Sequence, residues 1–315
     1  MDEQLKGTKL QFHYYFNDNS HAMDAIIRNQ CEIEILSILY EIANILDAPI
    51  KIESEAHQEG GLRDIWKLAN ANAGVLSVIV AVASIAIPLL PKSDAELERL
   101  QKEDLHLSIQ ERKLRIQVLK QQVNTKEVEA ETIEKMVDLV NGNYKIITRR
   151  SNLFKHLCAY PKVTKIGINE LNCNGIPATP ESLILRSAFK KFVLPSHKLP
   201  IRTVDNAIIE IIAPVIGQGT YKWKGIWQGQ NINFSMRDKC FIPDVLNQKM
   251  SFTSGSNIRC ILSVRSKLDH IGDIVITGYS VETVLSFGID ETPQSRVHRH
   301  QSNLEKAQGD LFASS

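Results

Sequence analysis

From Leu68 to Pro91 the chain carries no charged residue. The centre of this gap, Ala73-Gly-Val-Leu-Ser-Val-Ile-Val-Ala-Val-Ala-Ser-Ile-Ala-Ile-Pro-Leu-Leu90, is apolar enough for a membrane segment. As one helix the gap would run about 36 Å, against a hydrocarbon core of about 30 Å. Trp66 and Lys67 precede it, where an interfacial indole and a snorkelling amine belong. Pro88 and Pro91 fall at its far end, where a helix can stop without losing its middle. Gly74, Ser77, Ala81 and Ser84 supply small side chains for a helix–helix seam. A helix buried inside a protein is also apolar all round, so a core helix is the competing reading. The length favours a span with Val75, Leu76, Val78, Ile79, Val80, Val82, Ile85 and Ile87 in the bilayer.

Charges flanking the gap do not orient it, because Lys51, Arg63 and Lys67 on one side balance Lys92, Arg99 and Lys102 on the other. Asp2 and Glu3, with no apolar run after them, do not make a signal peptide. Five cysteines (Cys31, Cys158, Cys173, Cys240, Cys260) show no paired spacing, as expected of reduced thiols. The expected location is therefore an inner membrane, with the C-terminal part on the cytoplasmic side.

Ahead of the gap, Leu10, Phe12, Tyr14 and Phe16 alternate as in a half-buried strand. Asn17-Asp-Asn-Ser20 is turn chemistry, with Ser20 as N-cap. Apolar residues at helical spacing from Met23 to Leu46 then predict a helix that Pro49 ends, and Ile50–Glu55 predicts a second strand. The order is a β-α-β unit. His13, His21, Asp24, His57 and Glu59 gather at its ends, but in no metal-ligand or HExxH spacing. Loop and cap positions are polar for backbone reasons, so a catalytic site there is the weaker reading.

After the gap, Ser93 stands three residues before Glu96, a capping box, and a charged helix is predicted as far as Asn141-Gly142. Its two apolar stripes fit a coiled coil or docking on its own domain; the coiled coil, and hence a homo-oligomer, is favoured. Lys145–Arg202 holds eleven Lys and Arg against two Glu, a net charge of +9. Arg149, Arg150, Lys155, Lys190 and Lys191 are its candidate contacts to phosphate, of anionic lipid or of nucleic acid. No helix-turn-helix or zinc-finger pattern accompanies them. Beyond Arg202, five short β-type runs punctuated by glycine predict a small barrel or sandwich, with a short helix near Asp238–Leu246. From about Asp290 the composition is that of a disordered tail.

The expected fold is thus α+β: a β-α-β head (1–61), a hydrophobic transmembrane-like helix (62–91), a long charged helix (92–142), a basic linker (143–202), a β-rich module (203–288) and the tail (289–315). No GxSxG, Walker or kinase pattern appears, so no enzyme and no cofactor is expected; a small-molecule ligand is left unspecified.

Phe12-His-Tyr-Tyr-Phe-Asn-Asp-Asn-Ser-His-Ala-Met-Asp24, Glu59-Gly-Gly61, the two helices, Ile232–Phe241 and Phe252–Ser256 together resemble a group of uncharacterised bacterial proteins. Such proteins are often found on mobile elements. The resemblance implies a role in antiviral defence and carries no functional residue. The leading expectation is a membrane-associated oligomer, a non-enzymatic effector. The alternative is a soluble nucleic-acid-binding protein using the basic 145–202 region.

Overall fold

The structure, a computed structural model, describes residues 8–18, 22–55, 62–69, 73–90, 130–215, 221–247 and 249–288. Two compact units divide the chain. The first is Met1–His197 with Leu268–Asp273; the second is Lys198–Lys267 with Ile274–Ser315.

In the first unit, strand β1 (Lys9–Phe16) is followed by helix α1 (Ala25–Ile45), β2 (Lys51–Glu55) and β3 (Leu62–Ala69). Helices α2 (Ala73–Ala86), α3 (Ala130–Asn141) and α4 (Tyr144–Ala159) precede β4 (Val163–Leu171), β5 (Ser182–Leu185) and a short α5 (Arg186–Phe189). The sheet order is β2-β3-β1-β4-β5, antiparallel throughout. β3 therefore separates β1 from β2, and β1 separates β3 from β4. This is the topology of two interlocked split β-α-β units, the ferredoxin-like arrangement.

Alternation on β1 explains the layering. Leu10, Phe12 and Tyr14 are buried towards the helices, while Lys9, Gln11, His13 and Tyr15 occupy the opposite face. Asp24, not Ser20, starts α1: its Oδ1 accepts from the N–H groups of Ile26 and Ile27 at 2.9 and 3.0 Å. Cys31, Ile35, Ile38, Leu39 and Ile42 then form the buried stripe of that helix.

The expected architecture fails at the apolar gap. Leu62–Ala69 is a central strand, so Trp66 is a core residue donating to Glu32 at 3.3 Å and not an interfacial anchor. The helix that follows has 14 residues, about 21 Å against the roughly 30 Å a bilayer requires. Among the described residues no helix is long and apolar enough to cross a membrane. The transmembrane helix and the inner-membrane location are therefore corrected. Leu76, Val78, Ile79, Val80, Val82 and Ile87 are buried in the core of this unit, Val75 is half-buried against it, and Ile85 is exposed. The small residues serve intramolecular packing: buried Ser84 donates to Glu170 of β4 at 2.9 Å. Burial raises the Glu170 carboxyl above its ordinary pKa, partly offset by that hydrogen bond.

The long charged helix and coiled coil are likewise unsupported. The described part of 92–142 is α3, of 12 residues, whose Met136, Val137 and Val140 are buried in the same core as α2; the remainder, 92–129, lies outside the described residues. The longest described helix is α1, with 21 residues.

Two arginines finish helices. Arg150 on α4 is fully buried and donates through Nη1 to the carbonyl of Ala86, the last residue of α2 (2.8 Å), and to Asn141 Oδ1 at the end of α3 (3.0 Å). Arg186 donates to the carbonyls of Leu157, Cys158, Tyr160 and Val163, where α4 turns into β4. Both supply donors to helix-end carbonyls that have no intrahelical partner.

The turn Leu268–Asp273 completes the unit. Asn152 donates to the His270 carbonyl (3.1 Å), and Gly272, at φ +91°, lies so close to the backbone of Tyr144 and Lys145 that a Cβ would be 2.5 Å from Lys145 Cα.

The second unit is a closed barrel of β6 (Arg202–Ala213), β7 (Trp223–Trp227), β8 (Gln230–Met236), β9 (Asn257–Leu268) and β10 (Ile274–Gly288) in the order β10-β8-β7-β6-β9. Helix α6 (Phe241–Leu246) connects β8 to β9. β6-β7-β8 is a meander, β10 runs parallel to β8, and β9 closes on β6. This is the Greek-key topology of an OB-fold. Trp223, Phe234, Phe241, Phe252 and Phe287 meet ring to ring at centroid separations of 5.1–6.2 Å. Asp238 holds α6 in place: Oδ1 accepts from Cys240 and Phe241, and Oδ2 from Val284 of β10 at 2.7 Å.

The core position of α2 makes a sharp prediction. Val80→Asp buries a carboxylate and should cost at least about 4 kcal/mol in denaturant unfolding, whereas Ile85→Asp should stay within about 0.5 kcal/mol. Equal effects would contradict the packing described.

Candidate functional site

The basic block of 145–202 does not form one surface. Lys145 pairs with Asp273 (3.4 Å), Arg149 with Glu34 (3.2 Å) and Lys162 with Asp18 (3.0 Å). Arg150 and Arg186 are committed to carbonyls, as described. Burial lowers the Arg150 guanidinium to a pKa of about 10. Of the five candidate phosphate contacts, only Lys155, Lys190 and Lys191 are exposed. Within the β-α-β end cluster, His13 sits on the sheet and Asp24 caps α1; His21, His57 and Glu59 lie outside the described residues.

Net charge is concentrated elsewhere. Over 198–267 and 274–288 ten Lys and Arg stand against five Asp and Glu, a net of +5. The described residues of the first unit hold fifteen against sixteen, a net of −1. The barrel is the basic unit.

Strand pairing defines its outward face, because directly opposed residues share a side. One row across β9, β6, β7 and β8 reads Asn257, Glu210, Ile226, Asn231. The next, across β6, β7 and β8, reads Ala213, Lys224, Asn233. On the other side Ile208 opposes Arg259. Lys224, Asn231 and Asn233 are exposed, as are Ile208 and Ile212. Tyr221, just before β7, is 71% exposed beside Lys222.

Local sequence produces this face directly. In Trp223-Lys-Gly-Ile-Trp227 and Gln230–Met236 the interior positions are Trp223, Gly225, Trp227, Ile232 and Phe234, so the residues between them face outwards. Gly225 is required inside: a Cβ would lie 2.6 Å from both the Glu210 carbonyl oxygen and Ile209 Cγ2. A bulge in β6 between Ile211 and Ala213 lies alongside.

The combination of ammonium and guanidinium groups, two amides and a free aromatic ring can contact phosphates, base edges and a base face respectively. Glu210, central in the face, can accept from exocyclic amines. Sequence reasoning found these strands through their buried halves and left the polar halves unread. The readable signal was Lys224, Asn231 and Asn233 falling between core positions on adjacent strands. Among the described residues no group of three or more His, Cys, Asp and Glu is placed to hold a metal ion.

Gly225→Val should cost the barrel about 1–3 kcal/mol through overpacking. Thermal unfolding checks it, and an unchanged Tm would contradict the close approach of β6 and β7. No protein-family model, no curated protein and no solved structure matches the chain.

Proposed function

We propose that this protein binds single-stranded nucleic acid on the outward β6–β8 face of its barrel. The observation that carries the reading is the coincidence of the +5 charge with exposed Lys224, Asn231 and Asn233 on this face, half-buried Arg259 opposite the exposed Ile208, and exposed Tyr221 just before β7. A topology alone does not define a function. It adds support because β2–β3 faces of five-stranded Greek-key barrels recur as oligonucleotide and oligosaccharide sites.

Each group has a role on this reading. Lys222, Lys224 and Arg259 neutralise backbone phosphates. Tyr221 stacks on a base, and the exposed Ile208 and Ile212 pack against sugar and base carbons. Asn231, Asn233 and Glu210 contact base edges.

Fluorescence anisotropy with a labelled oligo(dT) of roughly 16 nucleotides, against a duplex of equal length, tests the proposal. Three phosphate contacts predict a log–log salt slope of roughly −2 on single strand. Tyr221→Ala should weaken binding by about 1–3 kcal/mol, and Lys224→Ala should reduce the slope by about 0.7. Lys155→Ala, Lys190→Ala and Lys191→Ala, on the other unit, should change neither. Binding lost with the latter three and retained in Lys224→Ala and Tyr221→Ala would overturn the assignment, as would no binding at all.

A further inference from the structure

One carboxylate stands on the outward face of the barrel among its cations and amides. Glu210 is exposed on β6, between the exposed Ile208 and Ile212 of the same strand face. Half-buried Ile226 of β7 lies directly opposite it on one side, and half-buried Asn257 of β9 on the other. Among the described residues the Glu210 carboxylate has no hydrogen-bond or ion-pair partner, and neither has the Asn257 side-chain amide. Lys224 and Arg259, the cations of this face, leave Glu210 unneutralised.

On a surface that receives a polyanion, such a group is a cost. It repels every phosphate that Lys224 and Arg259 attract, unless it makes contacts of its own in the complex. Its surroundings suit such contacts. Ile208, Ile212 and Ile226 border the carboxylate with apolar surface, and a base drawn against them exchanges its water for what this row of the sheet supplies. A polar atom of the base that finds no partner there is left unsatisfied, which is what makes a site discriminate.

What the row supplies is specific. Directly opposed side chains on antiparallel strands have Cβ atoms about 5 Å apart, within the reach of one base edge. Asn257 and Glu210 therefore offer, in order, an amide donor and two carboxylate acceptors. The Watson–Crick edge of guanine is the complement: O6 accepts, and N1–H and the 2-amino group donate. Each other base sets at least one ring nitrogen or carbonyl lone pair against a carboxylate oxygen. For cytosine it is N3, for adenine N1, and for thymine or uracil a carbonyl. Unpaired bases present this edge freely, whereas a duplex hides it.

We infer that the β6 face selects guanine within single-stranded nucleic acid, Glu210 accepting from N1–H and the 2-amino group and Asn257 donating to O6. The inference rests on the single-strand reading of this face and adds the base that it prefers.

Fluorescence anisotropy on the full chain, with three labelled strands of about 16 nucleotides, tests it. One is oligo(dT), one alternates thymine with guanine, and one alternates thymine with hypoxanthine, which lacks only the 2-amino group. The thymine–guanine strand should bind about tenfold more tightly than oligo(dT), and the hypoxanthine strand should lose most of that gain. Glu210→Gln should act in opposite directions. It should tighten oligo(dT) about twofold by removing a repelling charge, and weaken the thymine–guanine strand until the preference is gone. The hypoxanthine strand probes the same contact on the wild-type protein, so the test does not depend on the variant folding. Equal binding of the thymine–guanine strand and oligo(dT) by wild type would overturn the guanine assignment and leave the single-strand reading standing. Glu210→Gln weakening both strands alike would also overturn it. Binding to none of the three would remove the single-strand reading and this inference together.

Discussion

A buried guanidinium determines what the most apolar part of this chain becomes. The last carbonyls of any helix need donors. At the end of α2 the Ala86 oxygen accepts from Arg150, fully buried and 2.8 Å away, and from the Leu89 N–H at 3.3 Å. Its second hydrogen bond, to Asn141, brings the end of α3 to the same point. A helix finished by a cation within the protein, surrounded by β1, β3 and β4 on one side and helices on the other, is a core element. Its hydrophobicity reflects the burial of Leu76, Val78, Ile79, Val80 and Val82 in that core. The split β-α-β sheet needs such a helix, because Leu10, Phe12, Tyr14, Trp66 and Ile168 all point at it and its neighbours.

What was legible in the sequence was local. Alternation at Leu10, Phe12, Tyr14 and Phe16 marks a strand over 10–16, and one is present at Lys9–Phe16. Helical spacing from Met23 to Leu46 corresponds to α1 at Ala25–Ile45. β3 was not legible, for an identifiable reason. In Leu62-Arg-Asp-Ile-Trp-Lys-Leu-Ala69 the inward position between Leu62 and Trp66 is Asp64, which reads as solvent-exposed. It is buried because Arg28, distant in sequence, grips it at 2.6 Å. With the alternation hidden, the strand merges visually with the apolar run that follows, and the run looks long enough to span a bilayer. Strand order was unreadable for a different reason: neighbours such as β1 and β4 are separated by some 150 residues, and pairing at that range leaves no local trace.

Charge shows the same division. The run of cations over 145–202 is real in composition, but composition does not say which cations are spent inside the fold. Two cap helices, three pair with carboxylates, and Lys165 lies over an aromatic ring. The barrel's ten cations are spaced among strand residues and attract no notice as a block, yet they leave a net positive unit. For a chain of mixed strands and helices, a charge count per folded unit is the more informative quantity, because Coulomb attraction for a polyanion depends on uncompensated charge.

The Leu268–Asp273 turn carries a consequence for how this protein can be divided or inherited. The chain passes from the first unit to the second after His197, returns at Leu268 and leaves again after Asp273. Neither unit is a continuous stretch of sequence. A cut at the 197/198 junction would deprive α4 of Gly272, whose lack of a side chain its backbone requires, and of the His270 carbonyl that Asn152 holds. Gene fusion or loss at that junction would leave the first unit without its closing turn. The first unit therefore depends on a span of chain whose two ends belong to the second.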